Sequence, residues 1–145
     1  HGGHVERRAH RTSALIMIDI DHFKRVNDTY GHDVGDAVIA TVANVLKHAT
    51  RPGDVIARLG GEEFVIALES FDMSAIEGIA QRIRVAIGQQ TVPHENGNLT
   101  VTASFGVAKM TGDLQGDLRN ADRALYDAKR AGRDRVTTYG VETEE

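Results

Sequence analysis

Four acids stand where they could share a cation. Asp19 and Asp21 lie two residues apart at the end of an apolar run, and Glu62 and Glu63 follow Gly60-Gly61. Successive side chains of a strand point to opposite faces, so Asp19 and Asp21 project to one side if the strand persists that far, whereas Glu62 and Glu63 face opposite sides. Only one of the two glutamates can easily join Asp19 on a metal, and spacing alone leaves open which. Hard carboxylate oxygens on a rigid scaffold suit Mg2+, which takes one or two carboxylates and completes its shell with water and phosphate oxygens. Two such ions can clamp the attacking and leaving oxygens of a phosphoryl or nucleotidyl transfer. The plainer alternative is that acids close strands because they are soluble there.

For these acids to converge, the strand that ends at Asp19 must lie beside the one that starts at Glu63. Residues 14–20 form a short, β-branched and apolar run, as in a strand buried on both faces. A short helix is expected over residues 23–30, stopped by Gly31, and a longer one over 35–49, where Val38, Thr41, Val42, Val45, Leu46 and Ala49 make a core-facing stripe. Arg51-Pro52-Gly53-Asp54 reads as a turn, and Gly60-Gly61 as the tight turn of a hairpin between residues 55–59 and 63–68. Ile76, Ile79, Ala80, Ile83 and Ile87 mark a further helix ending near Gly88. Residues 99–109 read as one strand, paired with a short one near Thr91-Val92. Leu118, Ala121, Leu125 and Ala128 mark the last helix, with Lys129 and Arg130 in its final turn and Gly132 as its cap. Residues 136–139 can add a strand. This order predicts an α/β sandwich (α+β) with a mixed, mainly antiparallel central sheet and flanking helices. The central hairpin argues against a doubly wound sheet, and neither standard glycine-rich phosphate loop is present.

The 145 residues, 41% hydrophobic and 26% charged, match one globular domain. Its expected extent is residues 13–140, with a linker or expression remnant over 1–12 and a tail over 141–145. The complete lack of cysteine excludes disulfides, thiolate zinc sites and cysteine nucleophiles, and suits a reduced intracellular setting. The apolar run at residues 15–18 is far below the ~18–20 residues that span a bilayer, so this domain is expected to make no membrane contact. A net charge of −4 supplies no global field for a nucleic acid polymer, so an anionic ligand must be held by local cations.

A family becomes visible at Asp19-Ile20-Asp21-His22-Phe23-Lys24, at Asn27-Asp28-Thr29-Tyr30-Gly31-His32 with Gly35-Asp36, and above all at Arg58-Leu59-Gly60-Gly61-Glu62-Glu63-Phe64. The likeness continues through Ser104-Phe105-Gly106-Val107 and residues 121–129 to Gly132-Arg133. Over residues 13–139 the chain strongly resembles the GGDEF domain of diguanylate cyclases, in the GGEEF form of the signature. The resemblance implies a fold similar to the palm of polymerases and nucleotidyl cyclases. It also implies condensation of two GTP molecules into cyclic di-GMP with release of two pyrophosphates, each 3′-hydroxyl attacking the α-phosphate of the other GTP.

Carried onto this sequence, the resemblance assigns Mg2+ (or Mn2+) to Asp19, the backbone carbonyl of Ile20, and Glu62. Glu63 is implied to lie at the second metal or to assist deprotonation of the hydroxyl. Asn27 and Asp36 match the guanine-reading positions, and Lys129 and Arg133 the triphosphate-binding cations. Phe23 and Lys24 contribute main-chain N–H groups, and His32 belongs to the same GTP-binding set. Without the resemblance, Asn27 reads as a helix-surface residue, Asp36 as an acid favoured by the helix dipole, and Lys129 as its cationic complement at the far end of another helix. One domain holds one GTP in this scheme, so catalysis implies a homodimer, imposed in the parent protein by an upstream sensor or receiver domain. The implied location is cytoplasmic, with a parent protein that could be membrane-tethered.

Arg51-x-x-Asp54, with five residues before Gly60, has the family's position for a product-inhibition site, the RxxD motif, and Arg82 matches a further arginine there. Arginine can bond guanine O6 and N7 bidentately, and Asp54 can take the guanine N–H edge. The plainer alternative is a connecting turn. Family members usually begin with a DxLTGLxNRR segment that helps wall the guanine pocket, and residues 1–12 lack it. The intact signature favours a cyclase with product inhibition, and the lacking segment favours the alternative, a cyclic di-GMP receptor without turnover. A nucleotidyl cyclase or polymerase-like enzyme with another base choice is the third reading.

Overall fold

The computed structural model describes residues 11–141. The expected linker and tail fall outside the described residues, apart from Arg11, Thr12 and Val141. Along the chain stand β1 (Thr12–Ile20), α1 (Phe23–Tyr30), α2 (His32–Ala49), β2 (Val55–Gly60), β3 (Glu63–Ser70), α3 (Met73–Gly88), β4 (Val92–His94), β5 (Gly97–Leu99), β6 (Ala103–Lys109), α4 (Leu114–Arg130) and β7 (Val136–Thr138). Five strands form one sheet in the order β2-β3-β1-β6-β7. β1 runs antiparallel to both β3 and β6, β2 antiparallel to β3, and β7 parallel to β6. The expected mixed, mainly antiparallel sheet with flanking helices is therefore the fold.

β1 reads as continuously apolar because both of its faces are covered. Ala14, Ile16, Ile18 and Ile20 enter the larger core with Val38, Val42 and Leu46 of α2 and Ile76, Ala80, Ile83 and Ile87 of α3. Leu15 and Met17 point the other way, against Ala121 and Leu125 of α4. Each fully buried Val, Leu, Ile or Met side chain among them contributes about 1.5–3 kcal/mol. The two-residue period then has a direct consequence. Asp19 continues the Leu15–Met17 series, so its carboxylate emerges on the α4 face, while Ile20 stays in the core beneath α2.

α4 is fastened at its start and lies close on the sheet. Asp113 caps its first turn by accepting from the Gly116 N–H at 3.2 Å. The buried Asp117 carboxylate accepts from the Thr111 N–H at 2.9 Å and its hydroxyl at 2.7 Å, bonds that hold its carboxyl below the ordinary value.

Three boundaries depart from expectation. The strand expected over residues 99–109 is two strands, because β5 pairs with β4 in a separate two-stranded sheet. Residues 100–102 then turn toward the end of β1, where the Asp21 N–H donates to the Thr102 carbonyl at 2.9 Å. The second helix begins at His32 rather than Gly35, so Asp36 sits beyond its first turn. The hairpin turn is made by Gly61 and Glu62, not by the two glycines, since Gly60 pairs with Glu63 across a bulge after Arg58. Gly61, at φ 30°, and Gly60, at φ 156°, supply the backbone that this turn needs.

Candidate active site

The register of β1 and β3 places Asp19 directly opposite Glu63. Glu63 shares the α4 face with Val65 and Ala67, which pack in the same small core as Leu15 and Met17. Glu62, in the turn, accepts the Ile20 N–H on its carbonyl at 3.3 Å. β1 ends at Ile20, so Asp21 does not continue the Asp19 face as a strand residue, and its carboxylate turns to Thr102 and Ser104 instead. The pairing puts Glu63 on the same face as Asp19, and Glu62 flanks it from the turn.

Lys129, in the last turn of α4, reaches over the sheet end and its ammonium donates to Asp19 Oδ2. The crossing of α4 thus brings a lysine 110 residues away in sequence into contact with Asp19. Burial nonetheless raises the Asp19 carboxyl above its ordinary value of 3.8, opposed by Lys129 and reinforced by the charges of Glu62 and Asp21. Burial likewise raises Glu63 above 4.5, with Asp19 adding to the rise and Lys129 opposing it. Asp122 of α4 also raises Glu63. Its role escaped the sequence reading, although its spacing of seven residues from Lys129 puts both on one helix face. Lys129 thus leaves this group of acids incompletely neutralised, as a site for further cations would be.

Among the described residues no three His, Cys, Asp or Glu side chains form a ready-made metal cage. Mg2+ requires only one or two carboxylates, and Asp19, Glu63 and Glu62, with the neighbouring Ile20 carbonyl, supply hard oxygen donors on a rigid sheet end. The donor set fits the ion.

Groups able to receive a phosphate lie at the same end. α1 starts two residues after β1, and its N-cap His22, in a left-handed conformation at φ 56°, makes no side-chain capping bond. The Phe23 and Lys24 N–H groups in this first turn can therefore donate to an anion. Arg133 follows α4 at φ 64°, exposed, three residues beyond the helix end.

Asn27 and Asp36 come from the two consecutive helices α1 and α2. The Asn27 amide lies over Gly35, next to Asp36 in sequence: a Cβ at Gly35 would stand 1.9 Å from Asn27 Oδ1 and 3.3 Å from Phe23 Cζ. Asn27 is half-buried and Asp36 exposed. His32 is the exposed first residue of α2.

Arg51 and Asp54 lie elsewhere, across the length of the β2–β3 hairpin. Val55 pairs with Ala67 at one end and Gly60 with Glu63 at the other, about 15 Å apart at strand rise. The Asp54 carboxylate accepts from the Arg51 N–H at 2.8 Å, and Arg51 Nη2 donates to the Glu69 carbonyl at 2.9 Å. Both residues line a cavity of about 440 Å3 with Arg11, Ser13, Glu69 and Met110. The segment is a turn and a cavity wall at once. Arg82 does not line this cavity. It stands on α3 in a groove of about 380 Å3 against His48 and Asn44 of α2. Among the described residues no helix is long and apolar enough to cross a membrane.

Known proteins resemble this chain over most of its length. The family described as "Diguanylate cyclase, GGDEF domain" matches residues 3–135. Diguanylate cyclase A of Treponema denticola is 43% identical over 129 residues, 87% of this chain and 35% of that protein. Diguanylate cyclase DgcP of Pseudomonas aeruginosa is 42% identical over 134 residues, 89% of this chain and 20% of that protein. The chain thus spans about a third or less of these relatives. Among solved structures, the GGDEF domain of DgcB from Caulobacter crescentus, in complex with c-di-GMP, superposes with a TM-score of 0.84 at 35% identity, covering 94% of this chain and 82% of that one. The active GGEEF domain of a diguanylate cyclase from Vibrio cholerae gives 0.82 at 32% identity, covering 97% and 90%. With a family match over most of its length, including the strands, helices and turn that build this sheet end, the chain belongs to the GGDEF family of diguanylate cyclase domains.

Proposed function

We propose that this domain condenses two GTP molecules into cyclic di-GMP, with two copies facing each other and each holding one GTP. The observation that carries this reading is the convergence of Asp19, Glu63 and Glu62 at the sheet end beside Lys129 and the uncapped start of α1. A bound Mg2+ or Mn2+, held by Asp19, Glu62 and the Ile20 carbonyl, would offset triphosphate charge and polarise the α-phosphate.

The chain's own residues do the rest. The Phe23 and Lys24 N–H groups, Lys129 and Arg133 bind and orient the phosphates. Asn27 and Asp36 hold the guanine, the carboxylate accepting from N1–H and the 2-amino group. Glu63, whose carboxyl burial raises above its ordinary value, is the proton acceptor for the 3′-hydroxyl. The 3′-oxygen forms its bond to the α-phosphorus, the bond to the bridging oxygen breaks, pyrophosphate leaves, and the hydroxyl proton passes to Glu63. GTP as substrate places the reaction in the cytoplasm. The facing of two domains is set in the parent protein by an upstream sensor or receiver.

The test is to incubate a dimerised form with Mg2+ and GTP and resolve the products by chromatography. Cyclic di-GMP is expected, and its absence from a protein extended to include the preceding segment overturns turnover. Gly35→Ala should weaken GTP binding about tenfold, the loss of one base contact, while the melting temperature hardly moves. The clash falls on the end of the Asn27 side chain, which can swing away. Calorimetry with GTP and with ATP checks this, since the preference for GTP should shrink.

Product inhibition belongs to the Arg51–Asp54 cavity. Arg51→Ala should weaken cyclic di-GMP binding by about tenfold or more, with initial turnover largely intact. Unchanged affinity in calorimetry removes this assignment. Arg82 would join the site only from the α2–α3 groove. The roomy cavity also supports a second reading, a cyclic di-GMP receptor without turnover, which retained product binding without synthesis would favour.

A further inference from the structure

The loop after α4 holds two consecutive non-glycine residues in the left-handed region, Arg133 at φ 64° and Asp134 at φ 48°. Such backbone is unfavourable for side-chain-bearing residues and persists where surrounding structure over-determines it. Here two side chains grip Asp134 from different elements. The Asp21 carboxylate, only 6% exposed, accepts the Asp134 N–H at 3.0 Å, the Thr102 hydroxyl at 2.6 Å and the Ser104 hydroxyl at 2.6 Å. From α3, Arg84 Nη1 donates to Asp134 Oδ1 at 2.9 Å, while its Nε donates to Gln81 Oε1 at 3.0 Å. The loop is closed on either side by the Arg133 N–H to the Ala128 carbonyl, 3.0 Å, and the Phe105 N–H to the Arg135 carbonyl, 2.9 Å. Among the described residues the Arg133 guanidinium makes no ion pair or hydrogen bond.

We propose that Asp21 and Arg84 are positioning residues, a clamp on Asp134 that holds the loop so that Arg133 is presented to the triphosphate. The proposal rests on the cyclase reading for its ligand. Asp21 touches no reacting atom. It ties the end of β1, where Asp19 stands, to β6 and to the backbone beside Arg133, so the metal-facing acids and the phosphate-facing arginine keep one spacing. An unpaired arginine on a free loop would have to be ordered each time phosphate binds, and a pre-formed loop avoids that entropy loss.

The test combines amide hydrogen exchange with calorimetry on Asp21→Ala, Asp21→Asn, Arg84→Ala, Arg133→Ala and the pairings of the first and third with Arg133→Ala. In the parent protein the Asp134 amide should be protected. Exchange over residues 131–135 should quicken in Asp21→Ala and Arg84→Ala, and Asp21→Asn, which keeps an acceptor for that amide, should restore protection. Affinity for GTP and for inorganic triphosphate should fall about tenfold in Asp21→Ala and in Arg84→Ala, comparable to loss of one charge-assisted phosphate contact. Neither substitution should weaken binding further once Arg133 is Ala. Equal losses with and without Arg133, or unchanged exchange in a protein that binds GTP, overturn the clamp. If Asp21→Ala does not fold, Arg84→Ala, at a half-buried position outside the core, decides by the same criteria. A parent protein that binds neither ligand overturns the cyclase reading and the clamp's use together, while the exchange data alone still report whether the clamp exists.

Discussion

Asp19→Asn should cut cyclic di-GMP synthesis by about a thousandfold, the scale of losing one preorganised charge at a reacting centre, while leaving the domain at least as stable. The two halves of this expectation come from one fact. Burial and the nearby charges of Glu62 and Asp21 raise the Asp19 carboxyl above its ordinary value despite the Lys129 bond. A raised value means that the folded chain binds the proton more tightly than the unfolded one. The stabilising contribution is therefore fully present below 3.8 and is lost as pH rises through the raised value. At neutral pH the ionised Asp19 opposes folding without metal, and an uncharged amide removes that opposition. The variant should melt no lower than the parent at neutral pH in chelator, with any advantage shrinking toward acid pH. Retained turnover would move the ligand role elsewhere, and a markedly lower neutral melting temperature would show that the Lys129 bond outweighs the burial cost. Turnover of the parent should fall on the acid side at a pH above that of ordinary carboxylates, since Glu63 is raised as well.

Gly106→Ala should lower stability by about 3 kcal/mol or more, at the upper end of overpacking costs. An added Cβ would stand 2.2 Å from the Ala121 carbonyl oxygen, 2.3 Å from the Leu125 nitrogen and 2.8 Å from the Leu125 Cα. All three are backbone atoms of α4, so no rotamer change relieves the clash and the whole helix must lift. Against a total of about 5–15 kcal/mol, such a loss should lower the melting temperature by roughly 10 °C. Lifting α4 also withdraws Lys129 from Asp19, so residual folded protein should be less active. Thermal and urea unfolding check this, and a melting temperature within about 2 °C of the parent would refute the close approach of α4 to β6.

Gly106 also shows what kind of information the sequence held. Ser104-Phe105-Gly106-Val107 was recognisable as part of a family pattern, yet nothing in those four residues says that a helix 15–19 residues later rests on the glycine. The break inside residues 99–109 was hidden for a similar reason. Their composition suits a strand throughout, and only the competing needs of β4 and of Asp21, which takes the Thr102 carbonyl and hydroxyl, divide it. By contrast, the stripe of α2, the two-faced burial of β1 and the hairpin about Gly61 follow from periods of 3.6 and 2 and from glycine's freedom, all local properties.

From its residues alone this chain disclosed an α/β sandwich, acids at two strand ends, a positive-φ turn between β2 and β3, and membership in a family with a stated chemistry. Those features depend on side-chain periodicity and short motifs, which need no knowledge of what packs where. Tertiary structure decided the rest. Register set Glu63 opposite Asp19, the crossing of α4 delivered Lys129 and Asp122, and the end of β1 at Ile20 turned Asp21 away from the Asp19 face to grip Asp134. The physical reason is range. Periodicity is settled within a few residues, whereas these pairings join groups some 40 to 110 residues apart that meet only after the sheet has chosen its order.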